Sequence, residues 1–153
     1  MTQRNLVLVA MAGSAGLLLG AWIFQYFGYA PCKLCIYQRW PHGIAVLIGA
    51  IWLAVPMALL LVLGALSALA TAAVGVYHTG VERKWWEGPD TCTSGDIGGL
   101  SPSELMDQIL NAPLVQCDVV AWEFLGLSMA TWNALISLGF VVIWLLAARF
   151  RAS

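Results

Sequence analysis

Two cysteines separated by two residues, Cys32 and Cys35, are the residues of this sequence best suited to redox chemistry. The Cys-x-x-Cys spacing allows a small-ring disulfide that opens and closes easily, and this is the usual dithiol redox unit. Lys33 lies between the two sulfurs, and Arg39 follows Cys35 by one helical turn if the segment is helical. Because nearby cations favour a thiolate over a thiol, the segment predicts a reactive cysteine pair.

The other two cysteines, Cys92 and Cys117, make the count even and lie far apart in one polar stretch. A structural zinc site typically takes four ligands, often from a second closely spaced pair. This sequence contains one such pair, which His42 and His78 could supplement, and we expect no metal site. Two inert structural disulfides are the other reading of the same four cysteines.

The composition of the chain indicates that it lies in a membrane. Of its 153 residues, 61% are hydrophobic and 10% are charged, whereas soluble domains carry about 25% charged residues. The net charge is −1, and the absence of a basic patch argues against nucleic acid as a partner. We expect one integral membrane domain over residues 1–153, with the lipid bilayer as its surroundings.

Four uncharged apolar runs are predicted to cross that bilayer, at about residues 6–24, 41–55, 57–77 and 124–148. A helix needs about 20 residues to cross the hydrocarbon. Pro56 divides the long run after Arg39, because proline ends or kinks a helix. The predicted fold is therefore an all-α membrane protein, a four-helix transmembrane bundle.

Four crossings place both termini on one side and two cysteine-bearing loops, about residues 25–40 and 78–123, on the other. The basic residues are divided too evenly to orient the bundle. Within the second loop, Ser101-Pro102-Ser103-Glu104 has the form of a capping box with proline at the first helical position. A short amphipathic helix is predicted to follow, lying either on the membrane surface or on the protein.

Arg39 and His78 are the polar residues nearest to the predicted spans that could bind a ligand. A charged side chain close to the hydrocarbon is costly, so Arg39 either extends to the interface or serves a polar ligand at the membrane edge, such as a quinone oxygen. His78, at the end of the third span, could meet the same ligand or be an ordinary interfacial residue.

Several motifs in order along the chain carry a resemblance to a known family. They are Pro31-Cys32-x-Leu34-Cys35-Ile36-Tyr37-x-Arg39, Tyr77-His78-Thr79, Cys92, Cys117 and Trp122-Glu123-Phe124-Leu125-Gly126-Leu127-x-Met129-x-x-Trp132. Together they resemble DsbB, the bacterial inner-membrane disulfide bond formation protein B. Lys33 stands where the family would place an apolar residue, and Gln38 stands where an acid is common.

The resemblance implies a location, a partner and a set of catalytic cysteines. The chain would be a multi-pass protein of the bacterial inner membrane, with both termini cytoplasmic and the active cysteines periplasmic. A reduced periplasmic oxidase with a thioredoxin fold, similar to DsbA, would attack Cys92, and Cys117 would resolve that pair. Electrons would then pass to Cys32 and Cys35.

The resemblance also implies a cofactor site. Cys35 would face a membrane quinone, with Arg39 stabilising negative charge there and His78 assisting. The quinone would be ubiquinone, with menaquinone as a substitute. The resemblance thus predicts an enzyme, a quinone-dependent protein-disulfide oxidoreductase.

Two other functions compete with this reading. A quinone reductase similar to vitamin K epoxide reductase is also a four-span bundle with a Cys-x-x-Cys, but there the motif lies at the head of the last span. A non-enzymatic membrane protein with structural disulfides would need no quinone at all.

Overall fold

The computed structural model describes residues 2–90, 92, 101–111 and 115–150. Its elements, in chain order, are α1 (Gln3–Tyr26), α2 (Lys33–Ala54), α3 (Ala58–Glu82), α4 (Pro102–Asn111), β1 (Glu123–Phe124), β2 (Leu127–Ser128) and α5 (Met129–Arg149). The two strands pair antiparallel through a two-residue turn. Leu125 and Gly126 both adopt positive φ in that turn, at 54° and 72°, as a tight hairpin requires.

The four long helices pack side by side. α3 lies between α2 and α5, and α1 contacts the same two helices from the other side. The apolar core lies along this packing and includes Leu6, Trp52, Leu61, Phe140 and Trp144. Gly64 is required in this core, because a Cβ there would lie 2.6 Å from the Trp144 ring.

Three of the described helices, α1, α3 and α5, are long and apolar enough to cross a membrane, so the chain is a membrane protein. α2 has 22 residues but does not join this group, because its first half carries Gln38, Arg39 and His42 among its apolar residues. Length and composition therefore support three of the four predicted crossings.

The helices begin and end elsewhere than the predicted spans, and the differences concern the cysteine region. α2 begins at Lys33 rather than near residue 41, and α3 continues to Glu82 rather than ending near residue 77. Cys35, Arg39 and His78 therefore lie on helices, and whether they lie on the periplasmic side stays a prediction. The fourth run begins with the hairpin, and α5 starts only at Met129, after its N-cap Ser128.

Pro41 lies inside α2, eight residues after its start, although the predicted second span began at about residue 41. Proline removes one donor from the helix and takes away the usual partner of the Tyr37 carbonyl, four residues earlier. Two other carbonyls of this part of α2 accept from side chains of α3. Ser67 Oγ of α3 donates to Pro41 O at 2.6 Å, and Thr71 Oγ1 donates to Gln38 O at 3.0 Å. Pro56 separates α2 from α3, as predicted.

The predicted capping box is confirmed. Ser101 N donates to Glu104 Oε2 at 2.8 Å, and Glu104 N donates to Ser101 Oγ at 3.4 Å. Met106 and Leu110 of α4 are exposed. Whether α4 lies on a membrane surface stays a prediction.

Candidate active site

The first cysteine pair occupies the N-terminus of α2. Cys32 is the N-cap, and its Sγ accepts a hydrogen bond from Cys35 N at 3.2 Å. The two sulfurs lie 3.0 Å apart as free thiols, with Cys32 donating to Cys35. This hydrogen bond raises the pKa of the Cys32 thiol far above its usual range, and burial of the sulfur is the second cause. Cys35 Sγ is the acceptor in this hydrogen bond, an arrangement that favours negative charge on that sulfur.

The second pair is a disulfide between Cys92 and Cys117, with Cα atoms 5.3 Å apart. Both residues are fully buried, and they share one apolar cluster with Cys32, Leu34 and Val81. Lys84 forms an ion pair with Asp118, the residue after Cys117. The two pairs were predicted to share one end of the bundle, and the structure brings them into a single cluster.

His78 lies between the two pairs. Its Nε2 is 3.6 Å from Cys32 Sγ and 3.1 Å from the carbonyl oxygen of Cys117. Glu82, one helical turn later, places Oε1 3.8 Å from the same nitrogen, and its other carboxylate oxygen accepts from the Ser128 hydroxyl. His78 therefore contacts the sulfur region directly.

A chain of hydrogen-bonded polar side chains orients the His78 ring through its Nδ1 atom. Gln38 Nε2 lies 2.9 Å from His78 Nδ1, Asn133 Nδ2 lies 2.7 Å from Gln38 Oε1, and His42 Nε2 lies 2.8 Å from Asn133 Oδ1. Because an amide nitrogen only donates, Nδ1 accepts and the neutral His78 ring carries its proton on Nε2. That proton points toward Cys117 O and Cys32 Sγ.

Sequence reasoning missed Gln38, His42, Asn133 and Glu82 as members of this site. A signal for His42 and Asn133 was present, because a polar residue inside an apolar helical run is costly and often marks a functional position. Gln38 was noted only as a departure from the family pattern. Its contact with His78 depends on the packing of α2 against α3, which the spacing of residues does not reveal.

Cys35 borders two cavities of different character. The larger, of about 420 Å³, is lined mainly by apolar and aromatic side chains, together with Arg39 and Asn133. The smaller, of about 300 Å³, is lined by Cys32, His78 and Glu82 among others. Arg39 lines the larger cavity and His78 the smaller, and the two cavities share six lining residues, Cys35 among them. That one ligand meets both residues stays a prediction.

Arg39 is held at the edge of the larger cavity by α1. Its Nη1 donates to Gln25 Oε1 at 2.8 Å and its Nη2 donates to Ala21 O at 3.4 Å. Aromatic rings surround the same cavity, and the Phe24 and Trp122 rings meet edge to face at 5.0 Å. The arrangement can hold a flat, uncharged ring with a polar oxygen beside Cys35.

Comparison with known proteins gives one family over nearly the whole chain. The family model for disulfide bond formation protein DsbB matches residues 3–147. The chain is 31% identical over 162 residues to disulfide bond formation protein B of Verminephrobacter eiseniae, covering 99% of this chain and 89% of that protein. It is 30% identical over 159 residues to the protein of the same name in Xanthomonas oryzae, covering 97% and 91%.

A further relative carries no functional name. An uncharacterised protein of Rickettsia prowazekii is 30% identical over 141 residues, covering 88% of this chain and 80% of that protein. No solved structure matches. The family match covers nearly the whole chain and includes both cysteine pairs, so the chain belongs to the DsbB family of disulfide bond formation proteins.

Proposed function

We propose that this chain is a membrane thiol oxidase that supports disulfide bond formation. It reoxidises a periplasmic donor similar to DsbA and passes the electrons through both cysteine pairs to a quinone. The observation that carries the proposal is the position of Cys35, which borders both the apolar cavity and the cavity shared with Cys32 and His78. One sulfur can therefore receive electrons on one side and deliver them on the other.

The first exchange takes place at the second pair. A thiolate of the reduced partner protein attacks Cys92 and breaks the Cys92–Cys117 bond, leaving a mixed disulfide and a Cys117 thiolate. The second thiol of the partner then displaces Cys92. The partner leaves oxidised, and Cys92 and Cys117 remain as a dithiol. Cys92 is fully buried in the described arrangement, so the attack requires its segment to move away from the cluster.

The second exchange takes place between the pairs. Cys117 attacks Cys32 of an oxidised Cys32–Cys35 pair, which releases Cys35 as a thiolate, and Cys92 then displaces Cys32. The Cys92–Cys117 bond is restored and the first pair is reduced. His78 assists because its Nε2 proton lies against both Cys32 Sγ and the Cys117 carbonyl, where it stabilises the negative charge of a departing sulfur.

A quinone fits the larger cavity. Its volume of about 420 Å³ lies within the range of about 300–1,000 Å³ typical of small-molecule sites. When bound, the quinone accepts two electrons and two protons from the dithiol, and the Cys32–Cys35 disulfide forms again. Arg39 would bind a quinone oxygen and stabilise negative charge beside Cys35. Ubiquinone is the proposed acceptor, with menaquinone as an alternative.

The location follows from the same chemistry. Disulfides persist in an oxidising compartment. The DsbA–DsbB–quinone system is the known means by which the bacterial periplasm is kept oxidising. We therefore place α2 as a fourth crossing of the inner membrane, with both termini cytoplasmic and the cysteine end of the bundle periplasmic. A quinone reductase similar to vitamin K epoxide reductase is less favoured, because Cys32 caps α2 and not the last helix.

The proposal is tested with the purified chain in detergent, supplied with a quinone and a reduced DsbA-like protein. Replacement of Cys35 by serine should reduce quinone reduction to background, because no thiolate then borders the apolar cavity. Replacement of the exposed Ser103 by alanine is the control and should keep the rate. Quinone reduction at the unaltered rate in Cys35→Ser would show that the electrons take another route.

A further inference from the structure

The cluster between the two cysteine pairs has the ligand chemistry of a metal site. Cys32 Sγ, Cys35 Sγ and His78 Nε2 all lie within 4.8 Å of one another. Two sulfurs and an imidazole nitrogen are the ligands that zinc and other thiophilic divalent cations prefer. Spacing along the sequence argued against a metal because it provided one close cysteine pair, but the fold adds a histidine from α3.

The separations of these atoms are close to those that a metal would impose. Zinc at about 2.0–2.3 Å from each ligand of a tetrahedral site separates the ligand atoms by about 3.3–3.8 Å. Cys32 Sγ lies 3.0 Å from Cys35 Sγ and 3.6 Å from His78 Nε2. Small rotations of the two thiol groups are therefore sufficient to bring these three atoms to three corners of a tetrahedron around one ion.

Glu82 lies beside these three groups and is the candidate for a fourth ligand. Its Oε1 is 3.8 Å from His78 Nε2, and both side chains are almost fully buried, at 7% and 4% exposed. The other carboxylate oxygen accepts from Ser128, which orients the group as outer partners of metal ligands usually do. Glu82 also lines the same cavity as Cys32, Cys35 and His78.

The surroundings of His78 can support coordination at Nε2. A metal there requires the ring proton on Nδ1, where Gln38 now donates at 2.9 Å. Rotation of the Gln38 amide by half a turn presents its oxygen instead, since the two ends of an amide are nearly equal in shape. This rotation gives up the donation from Gln38 Nε2 to Leu34 O at 3.2 Å, and rotation of Asn133 with it gives up the donation to Thr71 Oγ1 at 3.1 Å. A ligating histidine usually donates its second N–H to such an oxygen.

We infer that the reduced form of this chain binds one zinc-class divalent cation through Cys32, Cys35, His78 and Glu82, and that the oxidised form does not. A disulfide offers no thiolate to a metal, so binding is limited to the dithiol. The bound ion holds both sulfurs and removes the Nε2 contact with the Cys117 carbonyl. The chain would then be trapped in its reduced state, and cation release would be needed before electrons move on.

This inference goes beyond the proposed function and is tested without a quinone or a partner protein. The full chain carrying Cys92→Ser and Cys117→Ser keeps Cys32 and Cys35 as its only thiols. In detergent, the reduced protein should bind one Cd²⁺, followed by the thiolate-to-cadmium absorbance in the ultraviolet. The same protein with the Cys32–Cys35 disulfide should bind none. Equal binding by both forms would overturn the inference.

Variants separate a built site from a bare dithiol. His78→Gln should weaken Cd²⁺ binding by about 10–100-fold, since even the outer partners of a metal ligand contribute that much, and Glu82→Gln should weaken it less. Glu87→Gln is the matched control for Glu82→Gln, because Glu87 is exposed and lines neither cavity at Cys35, and the Cd²⁺ affinity of this variant should not change. Cd²⁺ affinity unaffected by His78→Gln would show dithiol binding alone and reject the proposed site.

A direct measurement covers the case in which the His78 variant does not fold. X-ray absorption at the zinc edge of the reduced Cys92→Ser, Cys117→Ser chain should show two sulfur ligands and an imidazole nitrogen. A zinc environment without imidazole would overturn the inference. Because neither measurement depends on electron transfer, their outcome is independent of the outcome of the Cys35→Ser assay.

Discussion

The two cavities that meet at Cys35 share six lining residues but differ in the polar groups that each adds. The larger one is apolar and aromatic, and the charged group at its edge is Arg39. The smaller one contains Cys32, with the imidazole of His78 and the carboxylate of Glu82 beside it. An uncharged ring dissolved in lipid suits the first, whereas exchange between sulfurs, which moves protons and negative charge, suits the second. Under the proposed function, the chain would receive electrons on one side of Cys35 and deliver them on the other.

The largest expected effect comes from removing Cys92, the proposed point of attack by the partner protein. Cys92→Ser should abolish oxidation of a DsbA-like protein, because the proposed attack has no disulfide to act on. A small soluble dithiol that reaches Cys32 and Cys35 directly should still drive quinone reduction in this variant. The measurement is quinone absorbance with each donor in turn, and loss of activity with both donors would contradict the separation of the two cavities.

The next effect distinguishes Arg39 from His78. Arg39→Gln should lower kcat/KM for quinone by about tenfold or more, the size of a lost charge-assisted hydrogen bond of about 1.5–3 kcal/mol. Exchange between the two cysteine pairs should keep its rate, because Arg39 does not line the smaller cavity. Quenched-flow analysis of the disulfide states provides the second measurement.

His78→Gln should show the opposite pattern to Arg39→Gln, with slower exchange between the cysteine pairs and little change at the quinone. Inter-pair exchange slows because Nε2 no longer faces Cys32 and the Cys117 carbonyl, while the apparent affinity for quinone changes little. If both variants altered the same step, the two cavities would have to be treated as one site.

The sequence predicts the reactive elements of this molecule better than it predicts their arrangement. The Cys-x-x-Cys pair, the capping box at Ser101 and the division at Pro56 all depend on short-range chemistry, and the structure contains each of them as expected. The start of α2 was predicted too late, at about residue 41, because the polar and charged residues before Pro41 interrupt the apolar run. Ser67 and Thr71, distant in sequence, donate to carbonyls of that part of α2.

The contacts of His78 inside the site could not be predicted from the sequence for a similar reason. The resemblance implied that His78 assists at the quinone, and this stays a prediction. Its actual neighbours, Cys32 and Cys117, are 46 and 39 residues away in sequence. Only the packing of α2, α3 and the Cys117 segment together determines which cavity each polar group faces.

The smallest expected effect concerns Asn133, which lines the larger cavity yet supports the smaller one. Its Nδ2 contacts Gln38 Oε1 at 2.7 Å and Thr71 Oγ1 at 3.1 Å. Asn133→Leu should lower the free energy of unfolding by about 1–3 kcal/mol, because buried polar partners are left unsatisfied. The thermal midpoint in detergent should fall by about 2–4 °C for each kcal/mol.

Ser137→Ala, one turn further along α5, is the control for that loss. Its hydroxyl lies 3.5 Å from His42 Nε2, a distance too long for a strong hydrogen bond, so the midpoint should change less than in Asn133→Leu. Asn133→Leu should also slow exchange between the cysteine pairs, since Gln38 then loses the contact that orients it against His78. A lower midpoint with unaltered exchange would mean that the polar chain stabilises the bundle without positioning the imidazole.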